Sequence, residues 1–338
     1  MTQNERYFRR VVGSVGMTLL LFLLMLNLFG VLLVFFSALL SIFIQNEAAY
    51  YIVYQTVYAA GYLASFMVPV ALLKRLIGKG GYPYFSMQAP PKVSPWLPLM
   101  IPAAITLIFS AAYVNSALVD IFHYSAFSSE VIWESVGEGT APYRLVLDFI
   151  VICAVPGFCE EFLFRGAIMT NLMPFGRSNA ILISALLFGL MHQNAEQVLF
   201  AFAAGIVLGV VYEKTGSIWN CTILHILNNF ISVFESAILQ KLGDLFASSV
   251  AITLLEAGVF ALGVICLLIL VKKFFSEKHD LRNGVFGRSI SELHVCAAYP
   301  VAQKRAVKLF FTPSMIIFLS VCVLQILLLL LVAVLYVG

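Results

Sequence analysis

Apolar residues in this chain fall in runs far longer than the four to eight positions of a buried strand. A helix needs about 20 mostly apolar residues to cross a bilayer. Nine segments read as candidates: 11–44, 48–73, 96–122, 143–172, 178–193, 196–213, 217–239, 249–271 and 309–337. The pattern predicts an all-α, polytopic transmembrane helical bundle. The first run is long enough to tilt or to project beyond the bilayer. It also outruns the 7–15-residue apolar core of a signal peptide, so it is expected to be a membrane helix and not a cleaved leader. The fifth and sixth runs are short and joined by a tight link, "HQNAE", so they also fit an irregular hairpin. Either version keeps the parity of the later spans.

Composition supports this reading. The chain is 62% hydrophobic and only 11% charged, against about 25% charged in soluble domains. Its net charge of +3 is small, so where the charges lie matters more than their sum. Nothing suggests nucleic-acid binding, because no basic stripe interleaved with aromatics is present. The six cysteines, Cys153, Cys159, Cys221, Cys266, Cys296 and Cys322, are scattered without a CxxC. They are expected to be buried small hydrophobes and not a disulfide or zinc framework.

Lys and Arg in short loops mark the cytoplasmic side. Arg6, Arg9 and Arg10 precede the first span, Lys74, Arg75, Lys79 and Lys92 follow the second, Arg177 follows the fourth and Lys214 the sixth. The segment 272–308 is the most basic of all. The alternate loops carry Glu47, then Glu130, Glu134 and Glu138, then Glu196. A cytoplasmic N-terminus and an external C-terminus are therefore expected. No soluble domain, repeat or low-complexity tract is evident. The organisation reads as N-terminal helices and a cytoplasmic loop over 1–95, a helical core over 96–240, and C-terminal helices over 241–338. The basic segment could lie on anionic lipid or be a solvated linker.

A charge at the bilayer centre costs roughly 2.5–3.5 kcal/mol or more, so ionisable residues inside spans need a reason. The fourth span carries Asp148, Glu160, Glu161 and Arg165, the fifth His192, the seventh His225, Asn228 and Asn229, and the eighth Glu256. Glu161 and Arg165 are four apart, share a helix face and can pair. Glu160 is rotated about 100° from Glu161 and has no obvious local partner, which suits a general base or acid. His225 and Asn229 share a face, as do Phe188 and His192.

Measured from the inner ends at 1.5 Å per residue, Glu160 lies about 18 Å deep, His192 about 21 Å, His225 about 12 Å and Asn229 about 18 Å. Three helices thus bring polar groups to a similar depth. Taken singly, each has a simpler explanation. A lone histidine packs, a lone asparagine joins helices, and an i,i+4 ion pair braces its helix. The functional case rests on the set. A transporter with Glu160 as proton site and a non-catalytic membrane scaffold or immunity protein compete with an enzyme. The absence of internal symmetry disfavours the first.

The motifs carry a resemblance. "EEFLFR" fits EExxxR, "FGLMH" fits FxxxH and "HILNN" fits HxxxN, in that order on successive helices. Over about residues 143–235 the chain resembles the CPBP family (CAAX protease and bacteriocin-processing, also called Abi) of intramembrane proteases. That family includes the CAAX prenyl endopeptidases and bacterial members tied to bacteriocin maturation or self-immunity. The resemblance implies an intramembrane endopeptidase acting on a membrane-associated peptide or protein, in a bacterial cell membrane. Glu160, helped by His192, would activate water, and His225 with Asn229 would stabilise the oxyanion. Glu161 and Arg165 would hold the fourth helix, with Phe188 and Asn228 as neighbours. No HExxH, GxSG or GxGD is present. Metal-independent chemistry is favoured, with zinc on Glu160, His192 and His225 as the alternative.

Overall fold

The computed structural model describes residues 1–78, 93–122, 141–246, 249–276 and 301–337. The turn-rich loop 79–92, the acidic segment 123–140 and most of the basic segment, 277–300, lie outside the described residues, as does Cys296. Regular structure among the described residues is entirely helical. We number the helices α1 (Gln3–Phe43), α2 (Glu47–Gly78), α3 (Leu97–Phe122), α4 (142–172), α5 (Arg177–Met191), α6 (Ala195–Thr215), α7 (Ile218–Phe246), α8 (Ser249–Ser276), α9 (Gln303–Phe310) and α10 (Pro313–Val337). Six of them, α1, α2, α3, α6, α8 and α10, contain a stretch long and apolar enough to cross a membrane. Helix α5 and the segment Ile218–Phe234 of α7 are shorter apolar helices. At its 41 residues α1 runs about 60 Å, twice the thickness of a hydrocarbon core. A capping box starts it: Thr2 Oγ1 accepts from the Glu5 amide at 3.2 Å, and Glu5 Oε2 accepts from the Thr2 amide at 2.8 Å.

Helix α4 is the centre of the bundle and touches α1, α2, α5, α6 and α7. From Leu163 to Phe175 every residue is buried, as expected of a helix that packs on all sides. It is not a uniform α-helix. The stretches Phe149–Ala154 and Phe162–Met169 are π-helical and flank the α-helical turns Val155–Glu161. Pro156 has no amide hydrogen to donate to the preceding turn, and π-bulges often accompany functional sites.

Small residues set the close contacts around this centre. Helices α5 and α6 form a regular antiparallel hairpin, whose tight packing requires glycine. A Cβ on Gly205 would lie 2.9 Å from Ala185 Cα, and one on Gly189 2.7 Å from the Val198 carbonyl oxygen. On the far side of α1, a Cβ on Gly16 would meet the Met315 backbone nitrogen of α10 at 2.6 Å. Backbone cannot yield as a side chain can. Gly16→Ala is therefore expected to destabilise the folded protein by about 1–3 kcal/mol, read as a lower melting temperature in detergent.

Among the described residues, charges from those loops gather at one end. Arg10 donates to the Leu76 carbonyl at the end of α2 (3.3 Å), Tyr7 and Phe8 at the start of α1 pack on Phe175 in the short turn just past α4, and Arg305 of α9 lies 3.6 Å from Glu5. Arg177 and Lys214, at the start of α5 and the end of α6, share Glu213 at 3.0 and 3.1 Å. At the opposite end Arg144 of α4 pairs with Glu47 of α2 at 2.5 Å. Five of the cysteines are free and buried, as their scatter suggested.

Candidate active site

The site forms where α4, α5 and α7 meet, with α2 closing one side. The approach of α4 to α7 depends on Gly157, where a Cβ would sit 2.7 Å from Ile226 Cγ1 and 3.2 Å from the Ile226 amide nitrogen. That contact brings His225, the preceding residue, against the two glutamates. Glu161 is completely buried. Its Oε1 accepts from an Arg165 guanidinium nitrogen at 2.7 Å and from His225 Nδ1 at 2.8 Å. A carboxylate held by arginine only accepts, so Nδ1 carries a proton and His225 Nε2 faces away from Glu161. Nε2 lies 3.8 Å from Glu160 Oε2.

Glu160 is 5% exposed. Its Oε1 accepts a hydrogen bond from the Tyr62 hydroxyl of α2 at 2.7 Å. Its Oε2 is buried and has no hydrogen-bond partner among the described residues. The two oxygens are thus distinguished: one is held, the other is open and faces an imidazole nitrogen.

Arg165 is also completely buried. Besides Glu161 it donates to the Gly205 carbonyl of α6 at 3.0 Å, and its guanidinium carbon lies 4.7 Å from the Phe188 ring centroid. The lack of a side chain at Gly205 leaves that carbonyl reachable. Phe188 is more than a helix-packing residue. Its ring stands edge-on to His192 at 5.1 Å, to His225 at 5.8 Å and to Phe164 at 5.2 Å. One aromatic ring therefore locates the arginine and both imidazoles.

His192 caps the C-terminus of α5, and its Nδ1 donates to the Phe188 carbonyl at 2.8 Å. That bond fixes the proton on Nδ1 and leaves Nε2 as an acceptor in the neutral ring. The turn that follows is tight, with Gln193 at φ 54°, a left-handed conformation. Non-glycine residues rarely adopt it, and its cost is borne where a site needs a particular geometry. His192 makes no hydrogen bond with Glu160 here; it reaches the cluster through Phe188. On α7, Asn228 Nδ2 donates to Asn229 Oδ1 at 3.3 Å, which leaves the Asn229 amide NH₂ free to donate. Among the described residues, no three His, Cys, Asp or Glu side chains are grouped so as to hold a metal ion. Glu160, His192 and His225 are thus not assembled as a three-ligand set.

Sequence reasoning missed Tyr62, which lies outside any motif. One available signal was the spacing of Tyr50, Tyr54, Tyr58, Tyr62 and Phe66, which puts an aromatic every fourth residue along one face of α2. Asp148, the first of the charges on the fourth span, is buried and accepts from the Tyr51 hydroxyl and from Gln55 Nε2 at 3.2 Å. It joins α4 to α2 and takes no part in the site. Glu256 is exposed on α8, away from the cluster.

Residues 142–231 match the model of a family described as type II CAAX prenyl endopeptidase, Rce1-like. No curated protein and no solved structure matches the chain. The matched segment covers about a quarter of the sequence and contains every site residue named above except Tyr62. The family is one of CAAX-type intramembrane endopeptidases, peptide hydrolases that act on membrane-associated proteins, and the apolar helices make this chain an integral membrane protein. Through residues 142–231, the chain is thus similar to the Rce1-like family of type II CAAX prenyl endopeptidases.

Proposed function

We propose that this protein is a metal-independent endopeptidase that hydrolyses a peptide bond in a membrane-associated peptide or protein, in a bacterial cell membrane. The observation that carries the reading is the asymmetry of Glu160. One oxygen is held by Tyr62, and the other is buried, unpartnered and 3.8 Å from His225 Nε2. A carboxylate oxygen left open in a buried polar cluster is suited to take a proton from water as it attacks.

In this mechanism Glu160 Oε2 is the base. His192, with its free Nε2, orients the water from the other side of Phe188. Attack on the scissile carbonyl places negative charge on its oxygen. Asn229 Nδ2 and His225 Nε2 stabilise that charge. Because His225 Nδ1 already donates to Glu161, donation from Nε2 requires that the ring carry both protons. Glu160 then returns the abstracted proton to the leaving amine, which completes hydrolysis with no net change in the protein. Glu161 and Arg165 take no proton; they aim His225 and fix α4 against α6.

The oxyanion assignment is tested by Asn229→Ala. Its kcat is expected to fall about 100–1000-fold with KM nearly unchanged, on a farnesylated peptide ending in a CAAX-type sequence. A wild-type kcat in this variant would remove Asn229 from the mechanism.

A further inference from the structure

The helix α2 lies wholly outside the matched segment 142–231, yet it supplies the nearest polar contact to Glu160. We propose that Tyr62 is a positioning residue for the hydrolytic base: its hydroxyl holds Glu160 Oε1 so that Oε2 is the oxygen presented to water. The inference rests on the catalytic reading of Glu160 given above.

Three observations support it. First, the contact is short and direct at 2.7 Å, and it is the one hydrogen bond the Glu160 carboxylate makes among the described residues. Without it the carboxylate could rotate about its terminal torsion, which is broad and roughly two-fold, and either oxygen could face His225. Second, the tyrosine ring is itself held. It stacks with Tyr58 at 6.1 Å and packs against Phe66 at 4.9 Å, and Phe66 in turn packs on Phe22 of α1 at 4.7 Å. A phenol restrained on both sides positions its hydroxyl with little loss of freedom. Third, α2 is fixed to α4 at a second point. Tyr51 and Gln55 donate to Asp148, and Glu47 pairs with Arg144. The register of α2 along α4, and hence the height of Tyr62, is set independently of Glu160.

The donor also suits the chemistry. When Glu160 accepts the proton from water at Oε2, Oε1 can keep its bond from the Tyr62 hydroxyl, since a carboxylic acid retains an acceptor oxygen. The tyrosine therefore steadies the base before and after proton transfer without giving up its own proton. It is a positioning residue and does not touch the substrate.

The test uses the purified full chain in lipid vesicles and the farnesylated CAAX-type peptide as probe. Tyr62→Phe keeps the ring and removes the hydroxyl. We expect kcat to fall about 10–100-fold, the range for a hydrogen bond to a charged group, with KM within about twofold and the melting temperature nearly unchanged. In a Glu160→Gln background the same change should reduce the residual rate no further. Tyr54→Phe, two turns away on the same face, should behave as wild type. The proposal is overturned if Tyr62→Phe keeps or raises the wild-type kcat. It is also overturned if the loss follows a lowered melting temperature or recurs in full in the Glu160→Gln background. A Glu160→Gln protein with wild-type cleavage would instead refute the catalytic reading beneath it, so the two failures are distinct.

Discussion

Glu160→Gln is expected to lower cleavage by at least ~1000-fold while the protein inserts and melts as the wild type does. The argument rests on what the substitution preserves. Glutamine has the shape of glutamate, and its amide oxygen can still accept from the Tyr62 hydroxyl now bonded to Oε1. Packing around the side chain, which is 5% exposed, is retained. What disappears is the basic oxygen facing His225. General-base catalysis contributes roughly 100–10,000-fold, and an amide cannot substitute for it. Cleavage of the farnesylated probe and a thermal melt of the same preparation check both halves. His192→Ala is expected to impair cleavage as well. If both variants kept full biological activity, the protein would be a membrane scaffold on a protease fold.

The second large effect concerns stability. Arg165→Leu is expected to destabilise the fold by about 3–5 kcal/mol, the cost of leaving the other member of a buried ion pair without its partner. Both side chains have no exposed surface and meet at 2.7 Å. The loss also frees the Gly205 carbonyl and removes the cation from the Phe188 ring. Replacing both charges with leucine should recover much of the stability, because apolar pairs of similar volume often match or exceed buried ion pairs. It should not recover cleavage, since His225 Nδ1 then has lost the acceptor that aims it. Melting temperature and kcat should therefore separate in the double variant. If Arg165→Leu melts as the wild type does, the pair is not a structural element.

Much of this arrangement was legible in the sequence because helix spacing is a strong rule. The four-residue interval of Glu161 and Arg165 announced their pair, and the same interval put Phe188 under His192. The long apolar runs announced an all-helical membrane bundle. Other features were hidden for physical reasons. A rotation of about 100° separates Glu160 from Glu161 on an ideal helix, yet both reach the same imidazole, at 3.8 and 2.8 Å. One histidine offers two nitrogens on different sides of its ring, and α4 departs from α-helical geometry on either side of the pair. Glu160 lacks a local partner, as its spacing implied, but it gains a distant one in Tyr62, 98 positions earlier. No local period encodes such a contact. Likewise, the roles of Gly157 and Gly205 follow from which helices meet, which a single chain's pattern does not specify.

The central claim is that Glu160 directs water onto a peptide bond. The most direct measurement incubates membranes containing the protein, or its Glu160→Gln variant, in H₂¹⁸O and sequences both products of each cleaved membrane-associated protein, retained and released, by mass spectrometry. The account predicts new C-terminal carboxylates that carry one ¹⁸O atom with the wild type and are absent with Glu160→Gln. The same labelled termini in equal amount from both proteins would contradict it.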